Sequence, residues 1–182
     1  FVTRHIKEHM PEAFDFDIPS VCAIAPGVLG VTGVETMDIV FGVANKVKPD
    51  LIIAVDALAT RRAARISTTI QLSDSGISPG SGVGNTRADL SRANLGVPVI
   101  AVGVPLVVYA STISQDTISL IADETGLHGD EERLRELAEQ VIAKHMGDFI
   151  VTPKDIDVIV EDMAGIIANA INSALFGNNL EQ

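Results

Sequence analysis

The stretch LIIAVDALATR, residues 51–61, runs through five apolar or small residues into a carboxylate, Asp56, and then through small residues to Arg61 and Arg62. Apolar side chains on consecutive positions, without alternation, are the pattern of a strand covered on both faces, the setting of a parallel sheet. Two other runs share it: SVCAIAP at 20–26 and VPVIAVGV at 97–104. ISTTIQLSD at 66–74 differs, alternating Ile66, Thr68, Ile70 and Leu72 against Ser67, Thr69 and Gln71. That alternation predicts an edge or half-exposed strand.

Between the first two runs, GVETMDIVFGVANKVKPD places Val34, Met37, Ile39, Val40, Val43, Ala44 and Val47 at helical spacing, with a stop at Pro49. Strand, helix and strand from 20 to 56 then form a crossover that makes the two strands parallel. The C-terminal third is helical in pattern. GDEERLRELAEQVIAKHM has Asp130 as a cap and Leu134, Leu137, Val141 and Ile142 on one face. VTPKDIDVIVEDMAGIIANAINSALF opens with Thr152 as N-cap, Pro153 at the first helical position and Asp155 near the positive end. The expected fold class is α/β, a mostly parallel sheet with helices on both faces. No repeat, low-complexity tract or linker divides residues 1–182, so a single domain is expected. The opening FVTRHIKEHM lacks an initiator Met and reads as the remainder of an amphipathic helix. A fragment without the N-terminal part of its domain is therefore expected, shortened by processing or by design.

Composition narrows the partners. The net charge of −11 argues against a broad phosphate-binding surface, and RRAAR at 61–65 is too short for a nucleic-acid footprint on so acidic a chain. Decoration of a helix, or contact with an acidic patch of a neighbouring subunit, is the expected role of those arginines. The single cysteine, Cys22, excludes an intrachain disulfide, and its place in an apolar run predicts a buried, inert thiol. No run is expected to reach the length of a membrane span. With Trp absent and aromatics at 4%, the core must be aliphatic.

Ligands of open parallel sheets collect at the carboxyl ends of the strands. Asp56 closes such a run, and partial burial there would raise its pKa toward neutral. Two kinds of role stay open on the residues alone: a proton-handling acid, or a structural acid that caps the next helix or pairs with Arg61 or Arg62. The loop SDSGISPGSGVGN, 73–85, has four glycines and a proline directly after a strand. Gly76, Gly80, Gly82 and Gly84 permit positive φ and close approach of backbone N–H groups to a substrate. With Ser73, Ser81 and Asn85 they form the expected substrate-lining set. It is neither a dinucleotide fingerprint nor a P-loop, because no helix follows directly and no Gly-Lys-Ser/Thr is present. His5 and His9 are four apart on the opening helix but lack a third ligand, and His128 and His145 stand alone, so no metal and no cofactor are expected.

The long motifs AIAPGVLGVTGVETMDIVFGVANKVKPDLIIAVDALATR, IQLSDSGISPGSGVGN and LGVPVIAVGVP, with the closing VTPKDIDVIVEDMAGIIANAIN, resemble the germination protease (spore protease) family over most of residues 2–175. The resemblance implies an endopeptidase of endospore-forming bacteria that degrades the small acid-soluble proteins coating spore DNA. It implies a zymogen processed at its N-terminus, a homo-tetramer, and residence in the cytoplasm of the forespore and spore core. It implies neither direct nucleic-acid binding nor membrane attachment. The implied fold is similar to that of the hydrogenase maturation peptidases. The family is thought to use two aspartates. One lies in AVDALA and maps onto Asp56; the other belongs to an upstream glycine-rich segment, and nothing in this chain matches it. Asp74 is the candidate substitute acid within the chain. Leu106 and Tyr109 stand where the family pattern suggests threonine and aspartate, and the span between Thr117 and Val151 is shorter than in long members.

Two adjacent carboxylates cannot both ionise cheaply, so one would hold a proton while the other activates water. The alternatives are a non-catalytic fragment that binds substrate or self-assembles, and a metal-dependent peptidase relative.

Overall fold

The computed structural model describes residues 19–80, 88–126, 130–145 and 149–177. Helix α1 (Thr36–Val47) leads to strand β1 (Ile52–Thr60). A 3-10 turn (Ala63–Arg65) and strand β2 (Gln71–Ser73) follow, and after a helical turn (Arg92–Leu95) comes the long strand β3 (Val99–Tyr109). Helices α2 (Ala110–Thr125) and α3 (Glu131–His145), the short strand β4 (Ile150–Val151) and helix α4 (Ile156–Phe176) complete the chain.

The sheet is built around β3. Its long ladder with β1 is parallel, from Ile52 opposite Val99 to Thr60 opposite Val108, with a bulge between Leu58 and Ala59. On its other side the short strands β2 and β4 pair antiparallel at its two ends. Flanked on both sides, β3 buries both faces: Val99, Ala101, Val102, Val104 and Val108 are all buried. Consecutive apolar residues along VPVIAVGV are what that position demands.

Two aliphatic layers hold the helices to the sheet. On one face Leu90, Leu95 and Val99 pack with Met37 and Val40 of α1 and with Ile52, Ala54 and Ile77. On the other, Val102 and Val104 pack with Met163, Ile167 and Ile171 of α4. The fold is thus α/β, with a mostly parallel ladder and helices on both faces.

Several boundaries differ from those expected. Residues 20–26 form no strand; Val21 and Ile24 are exposed, as is Cys22, contrary to the buried thiol expected. An apolar run becomes a strand only with a neighbour to satisfy its backbone groups, and among the described residues the outer edge of β1 is unpaired. Strand β1 continues past Asp56 to Thr60 because the small residues Ala57–Thr60 fit against β3, so Asp56 sits within the strand and not at its end. In 66–74 only Gln71–Ser73 is strand; Ser67, at φ 56, turns the chain, and its N–H donates to the Pro105 carbonyl at 2.7 Å. Helix α4 begins at Ile156 with Asp155 as N-cap, and Thr152 bonds instead to the Pro153 carbonyl. By length and composition α4 is long and apolar enough to cross a membrane, which corrects the expectation that no run reaches that length. Its Met163, Ile167 and Ile171 lie on the sheet.

Gly103 is the register partner of both Asp56 and Gln71. A Cβ placed there would meet Leu58 Cδ1 at 2.2 Å. Gly103→Ala is therefore expected to lower stability by about 1–3 kcal/mol, the cost of forcing side chains aside in a packed layer. Thermal or urea unfolding reads this out, and an unchanged midpoint would show that Leu58 swings clear freely.

Candidate active site

In parallel strands register partners share a face, so Ala54, Asp56 and Leu58 of β1 lie on the face of Ala101, Gly103 and Pro105. The antiparallel pairing adds Gln71 and Ser73 to that face. It is the face that Met37 and Val40 of α1 cover, together with Ile77, Leu90 and Leu95. Asp56 is the one acid in this row, and Leu58 packs over Gly103, the register partner of Asp56.

Two backbone amides hold the Asp56 carboxylate. The N–H of Ala57 donates to Oδ1 at 2.9 Å, and the N–H of Gly80 donates as well. Burial pushes its pKa above the ordinary carboxylate value, and the Ala57 and Gly80 amides oppose that rise without cancelling it. Neither expected structural role is formed. A strand, not a helix, continues beyond Asp56, and no arginine figures among the influences on its charge.

The glycine-rich segment reaches Asp56 by a fixed path. Ser73 closes β2, and its hydroxyl lies 2.6 Å from that of Ser75 and accepts the Ser75 N–H at 3.1 Å. Gly76, at φ +96, then lets the chain run against Leu90 and Ser91. Ile77 exchanges both backbone bonds with Leu90, at 3.1 and 2.7 Å. Gly80, at φ +74, arrives at the carboxylate. Of the expected substrate-lining residues the structure thus brings Gly80 to Asp56, while Ser73 and Gly76 shape the approach. Ser81, Gly82, Gly84 and Asn85 lie outside the described residues, as do His5, His9 and His128.

Asp74 is elsewhere. Ser73 pairs with Ala101, opposite Ala54, and β2 lies beyond β3 from β1. With strands about 4.8 Å apart and about 3.3 Å of rise per residue, Asp74 is left roughly 14 Å from Asp56. It cannot share a proton with it. Among the described residues no group of three or more His, Cys, Asp or Glu side chains is placed to hold a metal.

Sequence reasoning missed Gly103 and Asp116. A lone glycine inside an apolar strand signals close approach of a neighbour, and that signal was present in VIAVGVP. Asp116 Oδ2, on α2, accepts the Ala63 N–H at 2.7 Å and anchors the turn after β1; nothing local in sequence marks a partner 53 residues away.

Comparison with known proteins bears on what this site belongs to. A family model described as germination protease matches residues 1–131 and 125–182. Its two pieces meet between α2 and α3, inside the span read as shortened. The germination protease of Clostridium acetobutylicum is 47% identical over 187 residues, covering 96% of this chain and 57% of that protein. That of Caldanaerobacter subterraneus subsp. tengcongensis is 48% identical over 187 residues, with 96% and 58% covered. That of Bacillus cereus is 41% identical over 219 residues, with 96% and 59% covered. The chain therefore spans under three-fifths of the length of these relatives. With that similarity running through the strands, the Asp56 segment and the glycine-rich loop alike, the chain belongs to the germination protease family.

Proposed function

We propose that the chain carries half of the catalytic centre of an endopeptidase that hydrolyses small acid-soluble spore proteins at germination. One observation carries the reading: a half-buried carboxylate with a raised pKa, oriented by the Ala57 and Gly80 amides beside a glycine-rich loop. A carboxyl group so placed holds or accepts a proton nearer to neutral pH than a solvated one. Family membership gives that chemistry its substrate, a polypeptide.

The reaction follows from the two-carboxylate arrangement. An ionised acid takes a proton from water as the water oxygen adds to the peptide carbonyl carbon. The protonated acid donates to the carbonyl oxygen. Collapse of the tetrahedral species breaks the C–N bond, with a proton passing to the departing amine. Asp56 is one acid of this pair. Among the described residues no second carboxylate stands against it, so its partner comes from outside them. The raised pKa favours Asp56 as the acid that holds the proton at the start. We extend the proposal to a zymogen that assembles as a homo-tetramer in the cytoplasm of the forespore and spore core.

Incubation of the intact protein with a small acid-soluble spore protein, followed by mass spectrometry of the products, tests the reading. Internal cleavage that survives chelator treatment is expected. Inhibition by chelator that added metal reverses would replace the two-carboxylate mechanism with a metal-dependent one.

A further inference from the structure

Helix α3 packs chiefly on α2. Gln115 donates to Glu139 at 3.1 Å and Arg135 donates to Ser119, so the two helices run antiparallel. The same side of α3 carries Ala138, half-buried, and Ile142, buried. One position before each of Arg135, Ala138 and Ile142 stand Leu134, Leu137 and Val141, each about half exposed. At steps of three and four these form a second stripe, turned about 100° from the first. A helix amphipathic toward a single neighbour carries polar residues there instead. Leu120 and Ile121, exposed on α2, add apolar surface to the same hairpin. An open apolar stripe at this spacing is the kind of seam along which one helix receives another.

We propose that this stripe is a contact between two copies of the chain, their α3 helices antiparallel about a two-fold axis beside Leu137. Symmetry and charge select that partner. In a two-fold contact, where residue i meets j, j also meets i. Leu134 of one copy then meets Val141 of the other, and the two Leu137 side chains meet near the axis. This register settles what the helix ends face. Asp130 lies four residues before Leu134 and His145 four residues after Val141, so they stand opposite each other. Glu132 accompanies Asp130 at the acidic end, and Lys144 accompanies His145 at the basic end. A parallel pair would set acid against acid and Lys144 against Lys144, a costly juxtaposition. The inference rests on the homo-oligomer included in the proposed function and names one of its contacts; no step of peptide hydrolysis enters it.

Native mass and cross-linking of the intact protein test the contact. In sedimentation equilibrium at micromolar concentration, Leu137→Glu is expected to show half the mass of wild type. Its circular dichroism should not change, because the side chain it replaces is half exposed. Leu137→Met should keep the wild-type mass. Register is read with single cysteines in a Cys22→Ser background, which removes the exposed native thiol, and a short thiol cross-linker. Leu137→Cys should link to itself. Leu134→Cys and Val141→Cys, offset from their own copies by about 10 Å along the helix, should stay unlinked alone and link when the two variants are co-expressed. A wild-type mass for Leu137→Glu overturns the contact and leaves an oligomer built through another surface. Self-linking of Leu134→Cys and of Val141→Cys overturns the antiparallel arrangement. A dimeric wild type that Leu137→Glu converts to a monomer keeps the contact and removes the tetramer. A wild type that is monomeric throughout overturns both.

Discussion

Asp56→Asn in the intact protein is expected to lower kcat/KM for spore-protein cleavage by about 10²–10⁴-fold, the contribution of a positioned proton-handling group. The substitution is nearly isosteric, and the amide oxygen still accepts from Ala57 and Gly80, which hold the native carboxylate. What disappears is the ability to take or give a proton. Stability should move the other way. The folded-state pKa of Asp56 is raised by burial, so the folded protein binds this proton more tightly than the unfolded chain does. Its contribution to stability is complete below the unfolded carboxylate's pKa and is lost as pH rises through the higher folded value. At neutral pH the wild type therefore carries a partly desolvated charge that Asn removes. Asp56→Asn should unfold at the same temperature as wild type or higher at pH 7, with the difference shrinking in acid. An inactive variant that also unfolds early would point to a structural role; a fully active one would take Asp56 out of the chemistry.

Gly76→Ala is expected to have the largest effect on the fold. At φ +96 an L side chain is strained whatever the space. Here there is none: the new Cβ would lie 2.3 Å from the Leu90 carbonyl oxygen and 2.9 Å from Ser91 Cα. Both are backbone atoms and cannot rotate aside as a leucine side chain can. The collision falls next to the Ile77–Leu90 bridge, which seats the glycine-rich segment on the Leu90, Leu95 and Val99 layer. A loss of about 3 kcal/mol or more is expected from backbone strain and displacement together, read as the shift in urea midpoint. Because Gly80 reaches Asp56 along the same segment, activity per folded molecule should fall as well. A variant of wild-type stability would show that the segment does not run against Leu90.

The parts of this architecture that were legible in sequence are those that local chemistry decides. The runs at 51–56 and 97–104 announced β1 and β3 by their unbroken apolar character, although only β3 is buried on both faces and Val55 of β1 is exposed. Helix α1 announced itself by its 3.6-residue spacing and its stop before Pro49, and the structure ends it at Lys48 in a left-handed conformation, with the Lys48 N–H on Ala44. The pairing of Asp56 with a glycine-rich loop could be suspected from composition. The fact that Gly80 is the residue that arrives could not, since it depends on how Ile77 bridges to Leu90. The run at 20–26 misled for the same reason in reverse. Its side chains suit a strand, but strand formation depends on a neighbour, and no pattern in VCAIA reports whether one is there. Helix α2 was overlooked because ASTISQDTISLIADET mixes β-branched and polar residues, a weak local signal that packing against α3 and the turn at Ala63 overrides.

The arginine turn shows how local order can be hidden from a linear reading. RRAAR looked like surface decoration on an acidic chain. The structure fixes its backbone through Thr60 and Asp116 at the carboxyl end of the strand that carries Asp56.

The most direct measurement on the central claim is a carbon-13 NMR titration of the Asp56 carboxyl, assigned by its disappearance in Asp56→Asn. A midpoint above that of a solvated aspartate, coinciding with a limb of the pH profile of kcat/KM, is the predicted result. A midpoint at or below the solvated value, or one unrelated to the activity profile, would contradict it.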